Sequence, residues 1–197
     1  MTRKTFWICT IIVAFCGLSV SAAIGLRHPA EAPHPTANFS AAAWKEKYRT
    51  TDELIKRVDG IVLAQAVAAV PGRVAYSANG EDALPFEVVE FRVVDGIKNF
   101  KTGDQVFIER AGGTDGEGNR LHLNFDGGDF ELGNTYLLFL KRQEDGPYYY
   151  QVNDQGRFQV EGGSLKAVTP DDEVTAPLHG RQVRDAVAIV KQKVKEK

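Results

Sequence analysis

The chain has 197 residues, of which 43% are hydrophobic and 25% are charged. This composition is typical of a domain with an apolar core and excludes disorder throughout the chain. The formal net charge is −2, and the charged residues among the first 23 are the cations Arg3 and Lys4. Removing these two from the 24 Lys and Arg leaves 22 against 26 Asp and Glu, a charge of about −4. This acidic balance argues against a nucleic-acid binder, which must neutralise phosphates.

Residues 1–23 have the pattern of a secretory signal peptide. Arg3 and Lys4 precede an uncharged apolar stretch, and the small residues at positions 21–23 fit a cleavage site. We therefore predict an exported protein, either periplasmic or extracellular. The alternative is an uncleaved anchor, because the uncharged residues 5–26 are just long enough to span a bilayer. Beyond such an anchor we expect no membrane contact.

The mature chain is predicted to begin with a tether and to contain no cysteine. Cys9 and Cys16 both lie in the signal-like segment. Their removal excludes disulfides, thiol nucleophiles and cysteine metal sites, and we expect no cofactor. Residues 24–39 are rich in Ala, Pro and His and lack apolar periodicity, which is typical of an extended tether. The domain would then occupy residues 40–197.

The first predicted element of the domain is a short helix. Thr50 and Glu53 have capping-box spacing, and the apolar residues that follow end at Asp59-Gly60. The apolar period then changes to two, which predicts strands. The predicted strands span residues 61–70, 86–94, 105–109, 121–125, 136–140, 148–152 and 157–160.

Turn-forming residues separate these strands, and a second helix follows them. We expect turns at Pro71-Gly72 and at Asp95-Gly96, and a hairpin between 148–152 and 157–160. The last helix, residues 181–194, carries a stripe of valines that predicts docking against the strands. The alternative is contact with an anionic membrane surface, because the other faces of this helix are basic. The residues thus predict a mainly β fold with flanking helices, a small antiparallel barrel or sandwich. Its expected core includes Val62, Val89, Phe91, Val93, Val106, Ile108, Leu138, Leu140 and Phe158.

A family resemblance narrows this prediction. The order of elements and the residues at 52–59, 61–65, 91–98, 103–106, 112–113, 130–140 and 156–158 resemble a set of uncharacterised exported bacterial proteins. Their barrel is similar to the netrin-like OB-fold of tissue inhibitors of metalloproteinases. The resemblance covers residues 51–168 and implies an OB-like barrel. Those inhibitors chelate zinc through an N-terminal cysteine, which the mature chain lacks, so the resemblance does not extend to that mechanism.

Four polar residues in the Gly-rich span 112–128 have the spacing of calcium ligands. Asp115, Glu117, Asn119 and Asp126 fall at positions 1, 3, 5 and 12 of an EF-hand-like loop. Position 6, which requires a glycine, is Arg120. We therefore expect no metal here and interpret the span as a polar turn.

The candidate ligand contacts are Tyr148, Tyr150, Arg157 and His122. Tyr148 and Tyr150 share one face of their strand, where they would either stack on bases or sugars or fill the core. Lys141, Arg142 and Arg157 are the candidates for a basic stripe beside them. A catalytic histidine needs an oriented nucleophile or carboxylate, and no motif in the sequence supplies one for His122.

The sequence as a whole predicts an exported, non-catalytic binding or assembly module of the cell envelope or extracellular space. Its partner would be a protein or an envelope component. One alternative is a secreted hydrolase or an inhibitor of one, which would need a polar cluster around His122 or in the acidic loop. The other is an oligosaccharide-binding OB-like module that uses the tyrosines.

Overall fold

The described part of the chain is a mainly β fold with one helix before the strands and one after them. A computed structural model describes residues 47–76, 83–115, 117–122, 127–144 and 146–196. All of these belong to the second of two compact units, residues 34–197. The predicted signal peptide, the tether and Asp126 lie outside the described residues. No helix within the described residues is long and apolar enough to cross a bilayer.

Two helices, nine strands and one short 3₁₀ turn make up this part of the chain. In chain order they are α1 Thr51–Arg57, β1 Gly60–Tyr76, β2 Ala83–Lys98, β3 Gln105–Ala111, β4 Gly113–Thr114, β5 Arg120–Leu121, β6 Thr135–Arg142, β7 Tyr149–Gln151, the 3₁₀ turn Asp154–Gly156, β8 Arg157–Glu161, β9 Ser164–Ala167 and α2 Val183–Lys195.

Seven strands form one sheet in the order β1-β2-β3-β7-β6-β8-β9, and β1 also pairs with β6. Strands β4 and β5 form a separate pair. Among the described residues every pairing is antiparallel except that of β3 with β7, where Ile108 lies opposite Tyr149. The sheet is therefore antiparallel, as predicted, apart from this one pair. Because β7 turns back along β6, its direction becomes the same as that of β3.

Two predicted turns lie inside strands. Strand β1 continues through Pro71 and Gly72, and its pairing with β2 shifts register between Pro71 and Val74. A Cβ on Gly72 would lie 2.9 Å from the carbonyl oxygen of Phe86, so this glycine permits close approach of the strands. Strand β2 likewise continues past Asp95-Gly96, and the chain turns later, at Asn99, whose φ is 60°.

The predicted hairpin between β7 and β8 does not form. Both strands pair antiparallel with β6, β7 with its last residues and β8 with its first. Between them the chain passes through the 3₁₀ turn, in which Asn153 Oδ1 accepts a hydrogen bond of 2.7 Å from the Gln155 N–H. Since β7 and β8 run in the same direction along one edge of β6, they cannot form a hairpin with each other.

The predicted strand at 121–125 is described only in part. Strand β5 covers Arg120–Leu121 and pairs with β4, His122 follows it, and residues 123–126 lie outside the described residues.

Both faces of the central strands are buried, because alternate residues enter two different apolar clusters. In β1, Ile61 and Leu63 enter one cluster, and Val62 and Ala64 enter the other. The first, here the helix-side cluster, also contains residues of α1, β6, β8, β9 and α2. The second, here the strand-side cluster, contains Val62, Ala64, Ala66, Val89, Phe91, Val93, Val106, Ile108, Phe130, Tyr136, Leu138 and Leu140.

All nine predicted core residues are buried. Eight belong to the strand-side cluster, whereas Phe158 belongs to the helix-side cluster. The period-two pattern therefore predicted burial correctly, although it did not distinguish the two clusters.

A side-chain cap begins α1, and buried residues and a charged contact hold α2. The Thr50 side chain accepts a hydrogen bond of 3.1 Å from the Glu53 N–H, as the capping-box spacing predicts. In α2, Ala186, Val187 and Val190 are buried, so the predicted docking is confirmed. Lys191 Nζ lies 2.7 Å from an Asp95 carboxylate oxygen and so ties this helix to β2.

Candidate functional site

An open cleft of about 470 Å³ crosses the outer side of β1, β2 and β3. Its walls are mostly apolar: β1 contributes Val70 and Pro71, β2 contributes Val88, and β3 contributes Phe107. Val88 and Phe107 point to the face opposite Val89 and Ile108, which enter the strand-side cluster. The remaining lining residues are Gly72, Arg73, Glu109, Pro147 and Tyr148.

A rigid ion pair forms the polar end of this cleft. Arg73 Nε lies 3.0 Å from Glu109 Oε1, and Arg73 Nη2 lies 3.2 Å from Glu109 Oε2. Gln143 donates a further bond of 2.8 Å to Glu109 Oε2. The guanidinium of Arg73 stacks over the Phe86 ring, 4.2 Å from its centroid. Both oxygens of the carboxylate are therefore bonded, and two hydrogen bonds and one ring contact orient the guanidinium.

The two members of this pair differ greatly in exposure. The Glu109 side chain is 2% exposed, whereas the Arg73 side chain is 58% exposed. Among the described residues, Arg73 makes its polar contacts through Nε and Nη2, and both bond Glu109. The remaining donors of the arginine are thus available to a ligand that enters the cleft.

A second groove, of about 720 Å³, meets the cleft at Arg73. It is lined by three cations and two acids, together with Gln143 and the predicted site residue Tyr150. One of the acids, Asp59, accepts a bond of 2.9 Å from the backbone N–H of Arg142. The lining cations are Arg73, Lys141 and Arg142, and the second acid is Glu144.

The structure places the predicted tyrosines on either side of Arg73. Tyr148 lines the cleft and Tyr150 lines the second groove, and both are partly buried. The intervening Tyr149 packs against the strand-side cluster, where its ring centroid lies 5.3 Å from that of Phe100. The expected alternation of the three tyrosines therefore holds.

His122 and Arg157 lie in a different place, where His122 contacts the carboxylate of Asp129 and Arg157 contacts its backbone carbonyl. His122 Nδ1 is 3.1 Å from Asp129 Oδ2, while Arg110 Nη1 is 2.6 Å from Asp129 Oδ1. Arg120 bridges Asp129 and the buried carboxylate of Glu87, at 3.2 and 3.3 Å. Burial alone would raise the pKa of the Asp129 carboxyl, but the bonds and charges of the two arginines hold it below its usual value.

Arg157 is a buried anchor of the segment that leads to Phe130. Its guanidinium donates to the carbonyl oxygens of Gly128 and Asp129, at 2.8 and 2.9 Å, and stacks over the Phe130 ring at 4.0 Å. The residue is 4% exposed, and burial lowers its pKa. The four predicted ligand contacts therefore fall into two sets, Tyr148 with Tyr150 and His122 with Arg157.

Three of the four residues with EF-hand-like spacing, Asp115, Glu117 and Asn119, lie in one hydrogen-bonded turn. Asp115 Oδ1 accepts from the backbone N–H groups of Glu117 and Asn119, at 2.9 and 2.8 Å, and its Oδ2 accepts from the Asn119 side chain at 3.0 Å. These bonds, that from the Asn119 side chain foremost, lower the pKa of Asp115. Within the described residues, no group of three or more His, Cys, Asp or Glu is placed to hold a metal ion.

The sequence reasoning missed the Arg73–Glu109 pair. One signal was present, because Glu109 shares its strand face with Phe107, and a carboxylate that is buried beside an apolar side chain is almost always paired with a cation. That partner is 36 residues away in the chain. Comparisons of this chain with protein-family models, with curated proteins and with solved structures gave no match.

Proposed function

We propose that the sheet closes into an OB-like barrel of five strands. The support is in the pairing: β1, β2, β3, β7 and β6 each have two neighbours within this set, since β1 pairs with both β2 and β6. In a closed ring with an odd number of strands, the directions cannot alternate at every step. One parallel pair is therefore required, and the pairing of β3 with β7 supplies it. We further propose that this barrel is of the netrin-like type that the sequence resembles.

The proposed function is that of an exported, non-catalytic binding or assembly module that contacts a protein or an envelope component. The observation that carries it is the preformed apolar cleft with the rigid Arg73–Glu109 pair at its end. Binding sites are typically concave and mostly apolar, with a few fixed polar groups that orient the ligand. This cleft has that character before any ligand enters.

The position of the cleft agrees with this proposal. OB-folds bind ligands on the face of their second and third strands and through the loops that border it. Here β2 and β3 supply Val88, Phe107 and Glu109. Pro147 and Tyr148 belong to the connection between β6 and β7, the fourth and fifth strands of the proposed ring. This analogy supports the location of the binding face and does not identify the ligand.

Affinity capture with a matched pair of variants tests the proposal. Val70 in the cleft and Leu132 outside its lining are similarly exposed, 52% and 55%. We expect the wild-type domain and Leu132→Glu to retain the same partner from an envelope extract, as measured by mass spectrometry. Val70→Glu should lose at least nine-tenths of it while melting at the same temperature. Equal retention by both variants would contradict a binding role for the cleft.

A further inference from the structure

We infer that the cleft accepts an extended acidic peptide segment in which an apolar side chain neighbours a carboxylate. This inference rests on the proposed binding function and specifies the ligand of that same cleft. The apolar walls of the cleft would contact the apolar side chain of the peptide, and the Arg73 guanidinium would bind its carboxylate.

The contacts of Arg73 orient its guanidinium toward a ligand in the cleft. Its bidentate contact with the buried Glu109 and its stacking on Phe86 fix the guanidinium before a ligand arrives. A guanidinium presents several donors in one plane and matches the geometry of a carboxylate. Because the side chain is already held, binding loses little rotamer freedom at this residue.

The apolar walls of the cleft can receive an apolar side chain of the ligand. Val70, Val88, Phe107 and Tyr148 surround the cleft next to Arg73. The cleft volume of about 470 Å³ suits one or two apolar side chains rather than a folded surface. A ligand with only carboxylates would leave these walls in water, and a wholly apolar ligand would leave the guanidinium without an anion.

Both cations and acids surround Arg73. Across the arginine, the second groove adds the cations Lys141 and Arg142, against the acids Asp59 and Glu144. The carboxylate of Asp59 already accepts the backbone N–H of Arg142. With Arg73 and its partner Glu109 included, three cations are balanced by three acids, so the ionic contact assigned to the peptide is the single one at the Arg73 guanidinium.

These features fit a peptide better than a nucleic acid or a glycan. A nucleic acid needs a row of cations along its phosphates, whereas Arg73 is the one cation that lines the cleft, and the acids of the adjoining groove balance its two further cations. Its apolar walls include valine and proline side chains, which offer no hydrogen bonds to sugar hydroxyls.

Titration with synthetic peptides tests the inference. The probes are terminally blocked hexapeptides of the type Ser-Val-Phe-Asp-Glu-Ser, with Val, Leu, Phe or Tyr at the apolar positions, and the matching Asn-Gln peptides. Binding to the domain is followed by NMR shifts of the Val70 and Val88 methyl groups, with the exposed Val94 methyls as the internal control. We expect the acidic peptides to bind about tenfold tighter than their amides, because they add a charge-assisted contact.

Arg73 variants complete the test. The double variant Arg73→Gln/Glu109→Gln removes the guanidinium without leaving a buried carboxylate unpaired, and it should abolish the preference for acidic peptides. Arg184→Gln, at a side chain that is 95% exposed in α2, should preserve it.

Three outcomes would overturn the inference: no binding by any acidic peptide, equal binding of acids and amides, or a preference that survives in the double variant. Failure here, with Val70→Glu still losing its partner, leaves the proposed function standing with a ligand of another class, such as a glycan. Failure of the capture experiment instead contradicts the proposed function itself.

Discussion

Replacing Phe91 with alanine removes the side chain at the centre of the strand-side cluster. Phe91 is fully buried, and its ring centroid lies 4.9 Å from that of Phe130 and 6.1 Å from that of Tyr136, both edge-on. A buried Phe→Ala change costs roughly 3–5 kcal/mol. Because an edge-on aromatic pair adds about 0.5–1.5 kcal/mol to the effect of burial, we expect the upper part of that range, about 4–5 kcal/mol.

Urea unfolding of the chain from residue 24 onward measures this cost. Phe91→Leu retains apolar volume and loses the ring contacts, so it should cost about 1–2 kcal/mol. Val94→Ala, at a residue that is 48% exposed on the same strand, should change the free energy of unfolding by less than about 0.5 kcal/mol. A cost below about 1 kcal/mol for Phe91→Ala would refute the assignment of the faces of β2.

Three further predictions concern the contacts that hold the fold together. Lys98 Nζ donates to three carbonyl oxygens at the C-terminal end of α1, so Lys98→Met should lower the free energy of unfolding by roughly 1–2 kcal/mol in urea, whereas Lys101→Met should not. The pKa of Asp129 lies below its unfolded value of about 3.9. The ionised Asp129 therefore contributes to the free energy of unfolding above pH 5, and this contribution is lost on acidification. The difference in melting temperature between wild type and Asp129→Asn should then narrow from pH 5 to pH 2. A constant difference would contradict this prediction. Val190 is fully buried in α2, so Val190→Ala should cost roughly 1.5–3 kcal/mol, and the intact domain should not sediment with anionic vesicles.

Local patterns in the sequence were sufficient to predict burial and helix ends. The alternation around Val89, Phe91 and Val93 reflects the pleat of one strand, which needs no knowledge of the partner strands. The Thr50 cap depends on residues three apart in the chain, so its spacing is visible in the sequence. The valine stripe of α2 is equally local, and burial of Val187 and Val190 agrees with it.

Features that depend on distant strands could not be predicted in this way. Pro71-Gly72 is a strong turn signal in isolation, but β2 supplies a partner that converts it into an irregularity within β1. The paths of β7 and β8 depend on which edge of β6 remains open, and this is a property of the whole sheet.

In the candidate site, too, local features could be predicted and contacts between distant strands could not. Tyr148 and Tyr150 were identified because their spacing is local, whereas Arg73 meets Glu109 only after β2 has been placed between their strands. The partners of Arg157 likewise come from a segment nearly thirty residues earlier in the chain.

Site-specific photo-cross-linking shows most directly whether the partner lies in the cleft of β1, β2 and β3. A benzophenone-bearing phenylalanine replaces Val70 in one sample and Leu132 in another, two residues of similar exposure. Each protein is irradiated in envelope extract, and adducts are identified by mass spectrometry. We predict one dominant protein adduct at position 70 and none at position 132. No adduct at position 70, or the same adduct in equal yield at both positions, would contradict it.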